Sequence, residues 1–159
     1  MTSNYMVIIR ANIRSLMNLY NIDSFKELSK YTEISADTIR KWYKQKETQP
    51  RLSNLDKLCD KFQVHTSDLF IPNSSFSHYY EENNNSQKSF RKNFNVLCIQ
   101  NSKLIKVDER INLLFDSDRN LYYSLISKNR IISIDRLDWL IEKMQPYIDQ
   151  KITIYDLLK

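Results

Sequence analysis

The sequence predicts an all-α protein in which two small helical domains are joined by a linker. Apolar residues recur at helical spacing in both halves of the 159-residue chain, and hydrophobic residues make up 42% of it. Glycine is absent, whereas it normally accounts for roughly 7% of residues and supplies many tight hairpin turns. The chain therefore favours helices, and we expect asparagine at backbone positions that require a positive φ.

Residues 1–71 are predicted to form the first domain. Its helical segments are expected at residues 5–20, 25–31, 36–44, 53–62 and 66–70. Ser24 and Glu27 fit a capping box at the start of the second segment, where each side chain would accept a hydrogen bond from the other residue's amide. Ser35 is expected to cap the third segment after a tight corner at residues 32–35.

Ser, Asn and Glu dominate residues 72–89, which predicts a flexible linker. Phe76, Tyr79 and Tyr80 leave an alternative open, in which this segment docks onto a neighbouring surface. Helical periodicity returns in residues 90–159 and predicts a small C-terminal domain. Its segments are expected at residues 91–100, 107–115, 119–127, 134–145 and 152–158.

The second domain echoes the first in sequence. Two stretches correspond in order, residues 54–62 with 136–144 and residues 66–70 with 154–158. When the two halves are aligned so that residues 54–62 match residues 136–144, Ile39 falls opposite Leu121. A degenerate internal copy would produce this echo, and so would independent domains with similar helix patterning. Both interpretations stay open at this stage.

The composition argues against several classes of function. A chain without glycine has no phosphate-cradling glycine loop, dinucleotide fingerprint or nucleophile elbow. Cys59, Cys98, His65 and His78 lack ligand-like spacing, so no metal and no other cofactor is predicted, and Cys59 is expected to be buried and inert. An enzyme is the weakest hypothesis, because no His, Cys or carboxylate groups converge in the sequence.

Charge and hydropathy constrain the partners and the location. The net charge of +5 and the pI of about 9.1 favour a polyanionic partner without establishing one. The chain has no apolar run of about eighteen residues and no signal-peptide core, so we expect a cytoplasmic protein with no membrane association. Enrichment in Asn, Ile, Lys and Tyr indicates an AT-rich bacterial or phage genome.

The first domain carries four motifs in a recognisable order. They are Glu-Leu-Ser at 27–29, Ile-Ser-Ala-Asp-Thr-Ile at 34–39, Pro-Arg-Leu-Ser-Asn-Leu-Asp-Lys-Leu at 50–58, and Phe-Gln-Val-His-Thr-Ser-Asp-Leu-Phe at 62–70. Together they resemble the Cro/lambda-repressor-like, Xre-type helix-turn-helix family of bacterial and phage regulators, over about residues 8–70. The resemblance implies that the third helix enters a DNA major groove.

The resemblance also implies a set of DNA contacts. Contacts to base edges are expected from Ala36, Asp37, Arg40 and Lys41, and contacts to phosphates from Ser24, Lys26, Ser35, Lys44 and Lys46. The buried side of the third helix is expected to hold Thr38, Ile39 and Trp42. The alternative for each cation is a solvated surface charge, and for Asp37 a favourable interaction with the helix N-terminus.

The sequence departs from the family at two places. Members usually have glycine or a small residue in the corner and glycine in the loop after the third helix, where this chain has Glu33 and Gln45. Many members also pair an arginine in the first helix with a glutamate that ends the third. The matching positions are Met17 and Tyr43, which predicts an apolar contact in place of the ion pair.

Regulators of this kind normally dimerise, which places two recognition helices about 34–36 Å apart on DNA. We therefore expect a homodimer or partner contact in the second domain. The expected interface comprises Leu137, Leu140, Ile141 and Met144, with Trp139 as an exposed anchor. The alternative is that this stripe is ordinary internal core.

Two functions follow from these expectations. The first is a transcriptional repressor of a phage or mobile element that binds an inverted-repeat DNA operator as a dimer and is relieved by a phage-encoded or host protein inducer. The second is a protein inhibitor similar to some anti-CRISPR proteins, in which the first domain only autoregulates and residues 90–159 block another protein.

Overall fold

The computed structural model describes residues 5–44, 48–77, 80, 83–127 and 132–159. These residues form helices and loops and contain no strand, so the predicted all-α class is confirmed. The chain divides into two compact units, Met1–Asn85 and Ser86–Lys159. Within the described ranges, no helix has the length and apolarity needed to cross a bilayer.

In the described residues of the first unit we find four α-helices and a closing 3₁₀ turn. They are α1 (Tyr5–Leu19), α2 (Phe25–Thr32), α3 (Ala36–Lys44), α4 (Leu52–Phe62) and the turn Thr66–Phe70. The bounds of α3 and of the turn are those predicted, and each other helix differs by one residue at one end. The turn packs on α1 and α4, and α2 packs on α3 and α4, so the apolar faces meet in one core.

Outside residues 128–131, which are not described, the second unit has five α-helices and a short 3₁₀ turn. They are α5 (Ser86–Ile99), α6 (Val107–Leu114), α7 (Arg119–Ile126), α8 (Ile134–Met144), the turn Gln145–Tyr147 and α9 (Ile154–Leu158). The helix α5 begins inside the predicted linker, so residues 86–89 are helical. Ser86, Phe90, Phe94 and Cys98 are buried at four-residue spacing, which extends the apolar face of α5 one turn before the predicted start.

The described residues just before α5 belong to the first unit and bond to other parts of it. The Asn84 side-chain amide donates to an Asp60 carboxylate oxygen and to the Val64 carbonyl, both at 2.9 Å. The Tyr80 hydroxyl lies 3.2 Å from the same Asp60 oxygen, and the Ser74 amide donates to the Asn12 side-chain oxygen. These bonds fasten residues 74, 80 and 84 to α1 and α4. Tyr79, named with Tyr80 in the sequence analysis, lies outside the described residues.

Glycine-free turns in the described residues use several residue types. Positive φ occurs at Asn21, Glu33, Gln63, Asn73, Phe76, Asn83, Asp116 and Ser117. The expectation of asparagine was therefore wrong at several of these positions, including Glu33 and Gln63, which end α2 and α4. A left-handed non-glycine residue costs about 1–2 kcal/mol. The amides of Glu33 and Gln63 offset this cost by donating to carbonyls of the last helical turn.

The second unit repeats the helix order of the first. The helices α1 to α4 contain 15, 8, 9 and 11 residues, and α5 to α8 contain 14, 8, 8 and 11. The closing segments of the two units, the first unit's 3₁₀ turn and α9, contain five residues each. In both units the closing segment packs on the first and fourth helices, and the second helix packs on the fourth.

The buried positions also coincide between the units. The fourth and seventh residues are buried in α3, where they are Ile39 and Trp42, and in α7, where they are Tyr122 and Leu125. Five buried residues occupy the same five positions of α4 and α8. Ile39 thus corresponds to Tyr122 and not to Leu121, because α7 is one residue shorter than α3 and therefore begins one residue nearer to α8 than α3 begins to α4.

An asparagine ties the first helix of each unit to its closing segment. Asn12, the eighth residue of α1, donates to the carbonyls of Leu69 at 2.9 Å and Ile71 at 2.8 Å. Asn93, the eighth residue of α5, donates to the carbonyls of Leu157 at 3.2 Å and Lys159 at 2.7 Å. Residues 86–159 therefore repeat the helix order, the buried positions and the asparagine bonds of the first unit, but α6 and α7 pack together less extensively than α2 and α3.

Candidate nucleic-acid interface

The helix α3 begins at a serine cap and buries one side. The Ser35 hydroxyl oxygen accepts a hydrogen bond from the Thr38 amide at 3.2 Å and lies 2.7 Å from the Thr38 hydroxyl. Ile39 and Trp42 are buried, and their spacing of three residues fixes the rotation of the helix. The opposite side of α3 faces solvent.

Most of the residues predicted to contact bases or phosphates lie on this exposed side. We call Asp37, Arg40, Lys41 and Lys44 the α3 edge, and all four are exposed. Ser35 is also exposed, but Ala36 is only half-buried. Thr38 was predicted to be buried and is half-buried, because its hydroxyl bonds to the Ser35 cap at the surface. Lys46 lies outside the described residues.

Two residues of the α3 edge are paired with each other. The guanidinium of Arg40 lies 2.7 Å from a carboxylate oxygen of Asp37, one helical turn away. Ion pairs between exposed side chains contribute about 0–1 kcal/mol. A guanine or a phosphate can therefore compete with Asp37 for Arg40, and Asp37 orients the guanidinium along the helix while the site is empty. Sequence reasoning treated the two side chains as independent base contacts.

The start of α2 carries the predicted phosphate contacts Ser24 and Lys26, which are both exposed. The Ser24 hydroxyl oxygen accepts from the Glu27 amide at 3.2 Å, as the capping box predicts. The Glu27 carboxylate accepts from the amide of Asp23 at 2.8 Å and not from that of Ser24. The reciprocal half of the box is thus displaced by one residue, and Glu27 adds a negative charge beside Lys26.

The corner between α2 and α3 is held by lysines of α4. The Glu33 carbonyl accepts from Lys57 at 3.1 Å, and the Glu33 carboxylate lies 3.3 Å from the Lys61 ammonium. The contact with Lys61 needs a carboxylate at position 33, which the glycine usual in the family does not have, whereas the contact with Lys57 uses the backbone carbonyl. The sequence analysis identified Glu33 as a departure but did not identify Lys57 or Lys61 as its partners.

The end of α3 is fixed to α1 through Tyr43. Its hydroxyl donates to the Arg10 carbonyl at 3.1 Å, and its ring lies 4.7 Å from that of Phe25. The guanidinium of Arg14 lies over both rings, at 5.2 Å from Phe25 and 5.4 Å from Tyr43. Desolvation raises the pKa of Tyr43 to about 12 against the opposing effect of Arg14.

The apolar contact predicted between Tyr43 and Met17 stays a prediction, and the contacts found for Tyr43 are with other residues. Met17 is fully buried, whereas Tyr43 reaches Arg10, Arg14 and Phe25 at the border of the core. An aromatic hydroxyl and two arginines of α1 thus take the place of the family's ion pair. Arg14 was missed in the sequence because its aromatic partners lie on other helices.

The interface stripe predicted in the second unit is internal core. Leu137, Leu140, Ile141 and Met144 are all buried within that unit. Their side chains are therefore unavailable to a partner, and the alternative stated for this stripe is the correct one. A helical wheel cannot distinguish the two cases, since both place apolar residues on one face.

Trp139 is half-buried rather than exposed as predicted. Its ring packs edge-on against Phe115 at 5.6 Å, and Arg136 and Lys143 lie over it at 5.6 and 5.8 Å. Lys143 is in turn paired with Asp116 at 3.0 Å. The indole is thus covered largely by its own unit, which makes it a poor anchor for another molecule.

The first unit matches a known family of domains. Residues 12–75 match the family model of the Cro/C1-type HTH DNA-binding domain. This range contains α2, α3, α4 and the corner, together with the whole α3 edge. No curated protein and no solved structure matched the chain. The family match supports a DNA-binding transcription regulator.

Proposed function

We propose that this protein is a sequence-specific transcriptional repressor that binds an inverted-repeat operator in double-stranded DNA as a homodimer. The observation that carries the proposal is the α3 edge, where Arg40, Lys41 and Lys44 are exposed on a helix whose other side is buried. A helix of this kind fits the major groove, where arginine and lysine donate to guanine O6 and N7. The Cro/C1-type match over the same residues supports this role.

The start of α2 supports a second set of contacts, to phosphates. Lys26 is exposed in the first turn, where helix amides and the positive end of the helix dipole favour an anion. Lys44 provides a second cation, in the last turn of α3. Phosphate contacts at the start of α2 and at the end of α3 would hold α3 at a fixed depth and register, while Arg40 and Lys41 read bases.

Repression follows most simply from occupancy, because a bound dimer on the protein's own promoter excludes RNA polymerase. The AT-rich codon usage that the composition indicates supports an origin in a phage or mobile element. Relief by a phage-encoded or host protein belongs to the same proposal.

The experiment measures binding of the full chain to the DNA that flanks its gene. Footprinting should reveal two half-sites about one helical turn apart. Arg40→Ala combined with Lys41→Ala should lower operator affinity by at least about 100-fold, since each base contact contributes about 1–3 kcal/mol. The matched control, Lys92→Ala with Lys103→Ala, removes the same charge from exposed positions of α5 and the following loop.

The control should keep operator affinity within about threefold of the parent, and the α3 variant should keep most of the salt dependence, because Arg40 and Lys41 contact bases and not phosphates. Lys44→Ala should weaken binding to all sequences alike, whereas Lys41→Ala should relax base preference. Equal losses in the α3 variant and in the control would show that the cations act only through net charge, and the proposal would be wrong.

A further inference from the structure

The helix α5 presents apolar residues on the side opposite the one that it buries. Lys92 lies four residues before Val96, and Asn95 lies four residues before Ile99, so these four residues share one face of the helix. All four are exposed, and we call them the α5 stripe. The buried face of α5 already packs in the core of its unit, so that core does not account for Val96 and Ile99.

The first unit has polar residues at the matching positions of α1. On the alignment that pairs the two asparagines described above, Val96 corresponds to Ser15. Ile99 likewise corresponds to Asn18, and both polar residues are exposed. The helix order that the units share therefore tolerates polar residues at these positions. Neighbouring apolar side chains that face solvent without a structural need are typical of a surface that binds a partner.

A buried arginine holds the loop before α6 beside the α5 stripe. The guanidinium of Arg110 donates to the Asn95 side-chain oxygen at 3.0 Å and to the Ile105 carbonyl at 3.1 Å. Its Nε donates to the Leu104 carbonyl. Ile105 is as exposed as Ile99. Three exposed apolar residues thus come from two adjoining segments of the second unit.

The same surface is cationic. Lys92, Lys103 and Lys106 are exposed, and none of them has an ion pair within the part of the chain that the structure describes. Arg110 is buried at the position where α2 has the buried Leu28. The acceptors of its three hydrogen bonds are neutral, so its charge lies uncompensated in a region of low dielectric constant and raises the potential at the surface above it.

The acidic residues at the start of α6 do not balance these cations. Asp108 is paired with Arg119 of α7 at 2.9 Å. Glu109 is the other acidic residue in the first turn of α6. One carboxylate thus opposes three lysines and a buried guanidinium, and a surface with this excess of positive charge attracts an acidic partner.

A cavity adjoins the α5 stripe at Val96. Its volume is about 520 Å³, and Tyr147 and Ile148, which lie between α8 and α9, also line it. Asp149 and Lys151 contribute opposite charges to the lining. The volume lies in the range of small-ligand sites. The cavity can therefore receive a large side chain of a molecule that lies along the stripe.

We infer that the α5 stripe, together with Lys103, Ile105 and Lys106, binds an acidic amphipathic segment of another protein. Carboxylates of the segment pair with the lysines, and its apolar side chains cover Val96, Ile99 and Ile105. A phosphate backbone fits this surface less well, because apolar residues between the lysines gain nothing from phosphates. The inference gives the surface and the chemistry by which a protein inducer binds, and in that role it rests on the proposed function.

The probe for the test is a fluorescein-labelled synthetic peptide of about 20 residues, rich in glutamate and with leucine at spacings of three and four residues. Its binding to the full chain is measured by fluorescence anisotropy in the absence of DNA. A peptide of the same length and charge with serine in place of leucine should bind at least about 10-fold more weakly, since it cannot cover the apolar residues.

A charge placed on the stripe should weaken binding of the leucine peptide. Ile99→Asp should lower the affinity at least about 10-fold, because it adds a carboxylate to a surface that binds carboxylates. The matched control is Tyr123→Asp, which places the same charge at a residue of the same unit that is 52% exposed, against 50% for Ile99. The control should stay within about threefold of the parent, and circular dichroism should show both variants folded.

The lysines are tested by Lys92→Ala combined with Lys103→Ala. This variant should bind the leucine peptide at least about 10-fold more weakly and with a smaller dependence on salt. Arg40→Ala combined with Lys41→Ala removes the same charge from the first unit and should leave peptide binding within about threefold of the parent. The two double variants thus have opposite effects on peptide and operator binding.

The inference would be overturned by a leucine peptide that does not bind at about millimolar concentration, by equal binding of the serine peptide, or by equal losses in Ile99→Asp and Tyr123→Asp. Displacement of the peptide by unrelated duplex DNA would overturn it in favour of a phosphate site. A dimer that dissociates in Ile99→Asp alone would overturn it in favour of a second copy of the chain.

Operator binding distinguishes these failures from a failure of the proposed function. A chain that binds the leucine peptide through the stripe but ignores the operator would keep the inferred surface and remove the proposed function. A chain that binds the operator but not the peptide would do the reverse.

Discussion

The two units share a helix order and a set of buried positions, but their surfaces differ. The buried positions of α3 and α7 and of α4 and α8 coincide, and Asn12 and Asn93 make equivalent bonds. The exposed positions share almost nothing, since Arg40 corresponds to Tyr123. Packing determines which residues are buried, whereas the exposed positions of the same helices are free to take up different partners. Function must therefore be sought in what differs between the two copies.

The connections differ as well as the surfaces. Three residues join α4 to the closing turn of the first unit, whereas nine join α8 to α9 and include a 3₁₀ turn. Gln145 spans this longer connection, because its side-chain amide donates to the carbonyls of Ile148 and Gln150 and its oxygen accepts from the Ile152 amide. The closing segment still reaches the same place on the first helix, so the fold tolerates the insertion.

The largest difference in stability is expected between alanine variants of the two equivalent asparagines, Asn12 and Asn93. Asn12 is 2% exposed and makes bonds to Leu69, Ile71 and Ser74, whereas Asn93 is half-buried. Asn12→Ala leaves buried backbone groups without partners and should lower the free energy of unfolding by about 3 kcal/mol, against about 1 kcal/mol for Asn93→Ala. Urea unfolding of the full chain measures both variants. Equal losses would mean that water replaces the Asn12 bonds, and that the two ties do not differ in burial as described.

A smaller effect on the free energy of unfolding should appear at alkaline pH, and it comes from the Cys98 thiol. Burial raises the pKa of Cys98 to about 11, against the opposing effect of Arg110. The unfolded thiol ionises near pH 8.5, so the folded state binds more protons above that value. The contribution of the buried, protonated Cys98 thiol to the stability is complete below about pH 8.5, and it is lost as the pH rises toward 11.

Unfolding between about pH 8 and pH 10.5 measures this contribution, which should lower the free energy of unfolding by about 1–2 kcal/mol. Cys98→Ala should remove this part of the pH dependence while leaving the part that comes from the first unit, where burial also raises the pKa of Cys59. If Cys98→Ala reproduced the parent's pH profile, the thiol would not be desolvated as the structure describes.

Local signals explain why most of the first unit could be predicted. The bounds of α3 follow from the Ser35 cap and from Ile39 and Trp42 on one face, and these interactions span only a few residues. The exposed α3 edge then follows from helix geometry. Asn12 shows where such reasoning ends, since a polar residue on the apolar face of α1 binds carbonyls more than fifty residues away.

Tertiary contacts explain what could not be predicted. Trp139 looked exposed on a helical wheel, and it is covered because Phe115 ends α6 beside it. Tyr43 was matched to the buried Met17 by its position in the family's pattern, but its hydroxyl donates a hydrogen bond to the Arg10 carbonyl. Because α7 is one residue shorter than α3, the correspondence at these helices differs by one residue from that at α4 and α8, which a constant offset could not reveal.

Titration of the ¹⁵N-labelled full chain with its own promoter DNA tests most directly whether the first unit reads bases and the second does not. Amide resonances of Asp37, Arg40 and Lys41 should shift most, while those of Asn120, Tyr123 and Ser124 should stay within the change caused by an unrelated duplex. The opposite pattern, with α7 responding and α3 unmoved, would contradict this assignment of roles to the two units.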